Sequence, residues 1–420
     1  MDEIQTIINR IAHHLERAVY LEDSAFRPLA TSPQVGHIDD ARIEALLARK
    51  PSDPHLQFFI DSGVIHARQP LRIPPSQKHQ LSARVVIPVM SGSQVLARVW
   101  LIDWSPPISS AEINYVHEAV EPLLSLLDES RRERRRRSAH GASLVRGLQN
   151  AGRKRRESLL EQLCRNYGIQ NLRDVRTCLI RLPEATASSE HAETPAQRPQ
   201  VEDMVATLMD FLDVHKAAGC VDDRGVQLLM APQQMGRNIA ELVTSVADQA
   251  ALLHGIDIES IGISGPLSSP HAVDTAFHQA AFSARIASCV ASYNGTACWD
   301  DLGEHKLFSQ VEWTRAGVAS LHENTAVLVH DHPIQLASSL LAYLEREGDV
   351  EEAARAMNVH RTTLYYRLNR ASNILGESAT GANSFTIHAA LKLAFLMEAH
   401  PDADSQAGTV GCLPDQVRRR

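Results

Sequence analysis

With 420 residues, the chain exceeds what one hydrophobic core usually organises, so two to four domains are expected. Its apolar (44%) and charged (22%) fractions are those of an ordinary soluble globular protein, and the net charge of −8 by itself says nothing about nucleic acid. Six scattered cysteines (Cys164, Cys178, Cys220, Cys289, Cys298, Cys412) contain no C-x-x-C pair, which argues against a disulfide framework and a thiolate zinc site and for reduced thiols in a cytosolic protein.

The chain starts with acidic residues and lacks a cationic segment leading into an apolar run, so no secretory signal is expected. No apolar run approaches the roughly 18–20 residues of a membrane span, and a cytoplasmic location follows as the expectation. Helical periodicity over 3–18 and 39–49 brackets shorter extended pieces such as Ala18–Glu22, and His13-His14 fall on the outer side of the first helix. "ARVVIPVM" (83–90) and "VLARVWLI" (95–102), separated by Ser-Gly-Ser-Gln, predict a β-hairpin. A small sheet covered by helices suits a sensory domain.

Pro106-Pro107 close this segment, and Ser109-x-x-Glu112 supplies a capping box for the next helix. Its apolar residues Ile113, Val116, Val120, Leu123 and Leu127 follow a heptad-like spacing, which serves either a dimer seam or packing onto the same domain. Between Arg131 and Arg156 stand eleven basic residues and one acid, Glu133, leaving 31 basic and 49 acidic residues elsewhere. Such a block can contact phosphates. Its lack of interleaved aromatics favours a solvated connector between domains.

From 172 to 305 the pattern is again α/β. "VRTCLIRL" (175–182) predicts a buried strand, 185–200 a flexible polar insert, 201–214 a helix, and 217–231 a hairpin turning at Asp222-Asp223-Arg224-Gly225. A helix near 236–253, a strand at 260–265 and a helix at 272–287 complete the unit. Small residues along that last helix suggest close packing on a sheet. The tail after Pro401 reads as disordered.

Residues 336–376 carry the functional signal. "LASSLLAYLERE" (336–347) predicts a helix ending at Gly348, and "VEEAARAM" (350–357) a short second helix whose Ala353 and Ala354 admit a close crossing. Asn358 suits a tight turn because Asn tolerates left-handed backbone angles. A third helix starts near His360, with Leu364, Leu368, Ala371 and Leu375 as its buried stripe. Projected at about 100° per residue, Thr362, Thr363, Tyr366 and Arg370 lie opposite that stripe, flanked by Arg361 and Arg367. No carboxylate occurs from 358 to 370, and a basic, polar, acid-free face suits a polyanion. This is the helix-turn-helix pattern, whose second helix enters the major groove by its N-terminal end.

"LLAYLEREGDVEEAARAMNVHRTTLYYRLNRASNILG" (340–376) resembles the C-terminal helix-turn-helix of PucR/CdaR-type transcriptional regulators. The resemblance implies that the stretch from His360 to Leu368 belongs to the DNA-reading helix. It also implies that 172–305 is similar to the degenerate GGDEF-like domain of that family, with "IGISGPLSSPHAVDTAFHQAAFSARIA" and "DDLGEHKLF" as the best-matching stretches. The expected organisation is multidomain α/β plus all-α. It comprises a GAF-like sensor (1–107), a helical linker with the arginine block (108–171), the GGDEF-like domain (172–305), a connector (306–330), the helix-turn-helix domain (331–400) and a tail (401–420).

The expected function is a regulator, with activation favoured, that contacts double-stranded DNA through His360, Arg361, Thr362, Thr363, Tyr366, Arg367 and Arg370. It would act as a homodimer or higher homo-oligomer under an unidentified small-molecule effector, with RNA polymerase an open further partner. The competing reading is a signalling or nucleotide-binding module whose helix-turn-helix makes protein contacts. A nucleotide cyclase would need a Gly-Gly-acid-acid-Phe hairpin and metal-holding carboxylates. Here the turn reads Val221-Asp222-Asp223-Arg224-Gly225, and Leu182-Pro183 stand where a metal-binding acid would be placed. No catalytic residue and no cofactor are expected. His330-Asp331-His332 lacks a third partner for a metal and suits helix entry.

Overall fold

The computed structural model describes residues 2–24, 26–36, 38–47, 53–92, 94–183, 197–212, 216–231 and 238–399. The expected tail and most of the expected insert (184–196) lie outside them. Helix Gln197–Phe211 starts four residues before the expected 201, inside the stretch read as insert.

The first sheet comprises β1 (Val19–Asp23), β2 (Pro28–Thr31), β3 (Leu71–Ile73), β4 (Arg84–Ser91) and β5 (Gln94–Ile102), in the antiparallel order β2-β1-β5-β4-β3. The predicted hairpin is the β4–β5 pair, closed at Ser91↔Gln94 with Gly92 at φ +60°. Strand alternation sends Val19, Leu21, Val85, Ile87, Val99 and Leu101 to one face, which helix Asp2–Leu15 covers.

Val116, Val120, Leu123 and Leu127 complete that same core, with Ile113 against its edge. The heptad-like seam is therefore spent on its own sheet, and the dimer-seam reading of these residues is corrected. An apolar sheet face needs a cover, and this stripe supplies it at no distance in sequence. The capping box forms as read, with Ser109 and Glu112 bonding reciprocally.

Pro122, which has no amide hydrogen, separates helix Ser110–Val120 from helix Leu123–Asn150. The arginine block from 131 to 137 lies within this single 28-residue helix. Arg132 pairs with Asp128 at 2.6 Å, Arg135 with Asp203 at 3.3 Å, and Arg134 reaches both Asp23 (3.9 Å) and Asp210 (3.7 Å). Arg134 and Arg135 thus reach acids of the two flanking units, while Arg132 is met by an acid of its own helix.

The second sheet comprises β6 (Arg176–Arg181), β7 (Ala218–Asp222), β8 (Gly225–Met230), β9 (Ser260–Ile263) and β10 (Thr296–Cys298), ordered β10-β9-β6-β8-β7. Only the β9–β10 pair is parallel. Helices Gln197–Phe211 and Ile239–His254 cover one face. The other face takes helix Val273–Cys289 together with Leu144, Val145, Leu148 and Leu163 from the pair Leu123–Asn150 and Arg153–Tyr167. The expected linker is accordingly half embedded in the second core.

Six helices follow: Arg315–Leu321, Glu323–His330, Ile334–Leu344, Val350–Ala356, Arg361–Leu375 and Ser384–Ala399. The first two occupy the segment read as a connector, and Val318, Ala326 and Leu328 enter a core shared with Leu336, Leu340, Ala371 and Leu391. Phe282 and Ile286 from helix Val273–Cys289 reach the same core, so the helical unit and the second sheet are packed, not merely tethered. Among the described residues no helix is long and apolar enough to cross a membrane.

Candidate nucleic-acid interface

Helix Ile334–Leu344 buries Leu336, Ala337 and Leu340 and is stopped by Gly348, whose φ of +88° lets its amide bond the Tyr343 carbonyl. Asp349 then caps helix Val350–Ala356 by accepting from the Glu352 amide at 2.9 Å. Ala353 and Ala354 are buried against Leu364, the close crossing that their size allows.

Asn358 has φ +51°, so the turn between the two short-loop helices does use a left-handed residue. The Val359 amide bonds back to the Ala354 carbonyl at 3.0 Å and locks the reversal. Asn358→Ala is expected to lower stability by about 1 kcal/mol, whereas Asn358→Gly leaves it nearly unchanged. Thermal unfolding of the two variants checks this, and equal losses would contradict it.

Helix Arg361–Leu375 begins with His360 as its N-cap, the ring Nδ1 bonding both the amide (3.4 Å) and the hydroxyl (2.7 Å) of Thr362. Leu364, Ala371 and Leu375 are fully buried and Leu368 partly, so the stripe is as read. On the opposite side Arg361, Thr362, Thr363, Tyr366 and Arg370 are all exposed, Tyr366 to 63%. The Arg370 guanidinium leans on the Tyr366 hydroxyl at 3.5 Å, and Arg361 lies 3.9 Å from Glu351 of the preceding helix. Both contacts are loose and solvent-screened, and a stronger anion can displace them.

Two details depart from the projection. Arg367 is half-buried and donates to Ser339 Oγ at 3.4 Å, so it braces the helix against Ile334–Leu344 at the edge of the face. Tyr365, absent from the sequence-derived set, is 53% exposed one turn after Arg361. Its signal was available in the i, i+4 relation to Arg361, which puts both on one side of the helix.

The other sequence candidates have structural occupations. Asp222 holds its hairpin turn by accepting from the Arg224 amide (3.0 Å) and from Gln149 Nε2 (3.1 Å). Asp331 pairs with Arg315 at 2.5 Å, which holds its carboxyl below the usual range. His13 and His14 are exposed, and His14 stacks on Tyr115. Burial pushes the thiols of Cys220, Cys289 and Cys298 up to about 11, the condition of inert core cysteines.

Comparison with known proteins bears on this region first. Residues 336–393 match the PucR C-terminal helix-turn-helix domain. The chain is 21% identical over 409 residues to the DNA-binding transcriptional activator AdeR of Bacillus subtilis (strain 168), spanning 93% of each protein. Over 121 residues it is 22% identical to the proline-responsive transcriptional activator PutR of the same organism, covering 28% of this chain and 29% of the relative. A solved structure, the regulator of polyketide synthase expression from Bifidobacterium adolescentis, aligns at 18% identity over 61% of this chain and 92% of that one, with a TM-score of 0.29. With the matched segment folding into two helices about a left-handed Asn turn and an acid-free exposed face, the chain carries the PucR C-terminal helix-turn-helix domain and is a DNA-binding transcriptional regulator.

Proposed function

We propose that this regulator is an effector-controlled activator that reads DNA with the exposed face of helix Arg361–Leu375. One observation carries the reading: over the first three turns of that helix, Arg361, Thr362, Thr363, Tyr366 and Arg370 form a polar, cationic surface without a carboxylate of their own. A major groove admits an α-helix, Arg can meet guanine bidentately, and Thr and Tyr hydroxyls serve bases or phosphates. His360 shapes the entry turn, and Arg367 stiffens the helix while adding charge at the rim.

Residues 1–107 act as a GAF-like sensor and 172–305 as a GGDEF-like domain without catalysis. An antiparallel sheet with a polar cleft supports the first assignment. The use of Asp222 as a turn residue and Leu182-Pro183 at the end of β6 support the second. Residues 331–400 form the DNA-binding unit, with 306–330 as its packed base. The protein works in the cytoplasm as a homodimer or higher homo-oligomer, and the effector acts by binding one arrangement of the domains more tightly. A relative described as an activator along 93% of both chains supports activation, hence contact with RNA polymerase at the promoter.

The test uses duplexes selected by the full-length protein from a random-sequence pool. Arg361→Ala together with Tyr366→Ala should lower affinity for the selected duplex about 10- to 100-fold and flatten its preference over random DNA. Arg367→Ala is measured beside its unfolding midpoint, because it also loses the Ser339 contact. Unchanged preference in the double variant removes the assignment of this face. Absence of any DNA binding at low salt supports a protein-contact role instead.

A further inference from the structure

The second face of the first sheet is unlike an ordinary core. Tyr20 and Glu22 of β1 stand opposite Trp100 and Arg98 of β5, so one patch of sheet carries a phenol, a carboxyl, an indole and a guanidinium. Arg42, from helix Asp40–Leu47, closes over it, with its guanidinium 5.8 Å from the Tyr20 ring. Tyr20, Glu22, Trp100 and Arg42, together with Asp39 and Arg84, line a cleft of about 50 Å³ whose apolar flanks are Phe26, Phe59 and the Trp100 ring.

Among the described residues, four polar atoms of the residues lining this cleft are buried without a hydrogen-bond partner, Tyr20 Oη, Glu22 Oε1, Arg42 Nη1 and Trp100 Nε1, and Arg98 Nε beside it is a fifth. The four residues are only 2% (Glu22), 6% (Arg42), 7% (Trp100) and 8% (Tyr20) exposed. The Trp100 N–H lies near enough to Glu22 to favour its charged form, yet completes no hydrogen bond of normal geometry. Native proteins seldom leave one such atom unmet, and four converging on one cavity indicate missing partners.

The neighbouring charged groups are largely matched, Arg98 Nε excepted. Asp39 pairs with Arg84 and also accepts from the Ser82 amide at 2.8 Å. Arg98 bonds the Ser24 carbonyl at 3.1 Å and lies over the Phe26 ring. Arg42 spends Nη2 on the Ser32 carbonyl (3.1 Å) and Nε on Gln34 (3.2 Å), leaving Nη1 buried without a hydrogen-bond partner among the described residues.

We propose that this cleft binds a compact zwitterion, its cationic nitrogen on Glu22 and its carboxylate on Arg42, with Tyr20 and Trp100 completing the hydrogen bonds. A simple anion would satisfy Arg42 and then sit beside Glu22. A simple cation would satisfy Glu22 and leave Arg42 unmet. Only a molecule with both ends meets both, and the cavity volume limits the body between them to a few heavy atoms. Burial pushes the Glu22 carboxyl up to about 8, against the pull of Arg98 and Arg84 and with Asp23 adding to the rise, so a bound ammonium would stabilise its ionised form. That this occupant is the effector rests on the sensor reading of residues 1–107; that it binds does not.

Calorimetry on the DNA-free, full-length protein tests the site with glycine, β-alanine and 4-aminobutanoate, zwitterions of increasing charge separation, and with their N-acetyl and amide derivatives. At least one zwitterion should bind saturably, and acetylation of its amine or amidation of its carboxylate should each weaken it about tenfold or more. Glu22→Gln should abolish this binding while leaving the unfolding midpoint unchanged or higher. Tyr20→Phe, which keeps the ring, should weaken it several-fold. Binding of no zwitterion, equal binding of the blocked derivatives, or full binding by Glu22→Gln would each overturn the proposal. Parent protein that binds the zwitterion but no DNA would count against the proposed DNA-reading function and leave the cleft assignment standing.

Discussion

Gly262→Ala is expected to destabilise the protein by about 3 kcal/mol or more, one of the largest losses available to a single methyl group here. Gly262 sits mid-strand in β9, between Leu179 of β6 and Ala297 of β10. Helix Val273–Cys289 crosses directly above it. A Cβ at this position would fall inside contact distance of the Ala280 carbonyl and the Ala284 amide, and 2.8 Å from the Ala284 Cα. These are backbone atoms, which cannot swing aside as a flexible side chain would. Relief requires lifting the whole helix, and with it Phe282 and Ile286, which belong to the core beneath the DNA-binding unit. Urea denaturation followed by circular dichroism checks the effect, with Gly152→Ala as control, because nothing lies within 4 Å of a Cβ built there. A midpoint shift for Gly262→Ala no larger than the control's would refute the close-packing account.

Glu22→Gln should have the opposite sign and a pronounced pH dependence. In the unfolded chain this carboxyl titrates near 4.5, and in the fold near 8. Between those values the folded protein holds a proton that the unfolded chain has released. Stability therefore falls as pH rises from about 4.5 towards 8, and is fully retained only below that range. Gln cannot ionise and removes the loss. The variant should match the parent near pH 4.5 and exceed it by on the order of 3 kcal/mol at pH 8, read as diverging midpoints in thermal unfolding at the two pH values. Parallel midpoints, or a variant less stable at pH 8, would show that Glu22 is ionised and well paired inside the fold. A natural sequence that keeps a destabilising acid is following the familiar trade of stability for function.

The C-terminal unit was legible in the sequence because its determinants are local. A glycine stop, an Asp cap, paired alanines, an Asn turn and a spaced stripe all act within about ten residues, and each reappears at its position. The two hairpins and the Ser109–Glu112 box were legible for the same reason. Long-range choices were not. The spacing of Ile113 to Leu127 fits a partner helix as well as a sheet, and only the apolar face of β1, β4 and β5 decides between them. Arg367 belongs to the reading face by projection, but Ser339, 28 residues earlier, draws it aside. The cleft was not legible because Arg84 and Arg98 are flanked in their strands by aliphatic residues and Glu22 is followed by Asp23 at a strand end, so alternation does not single them out.

Helix Leu123–Asn150 has one end, Leu123 and Leu127, embedded in the first core and the other, Leu144, Val145 and Leu148, in the second. It spans about 40 Å as an unbroken rod. A rod clamped at both ends behaves as a lever: tilting its first turn by about 5° displaces its last turn by roughly 3–4 Å. Displacements of that size exceed what a close-packed core absorbs by side-chain adjustment alone. Angular play at the first sheet must then reappear as translation at the second, where Phe277 of helix Val273–Cys289 shares a core with the rod and Phe282, five residues on, reaches the DNA-binding unit.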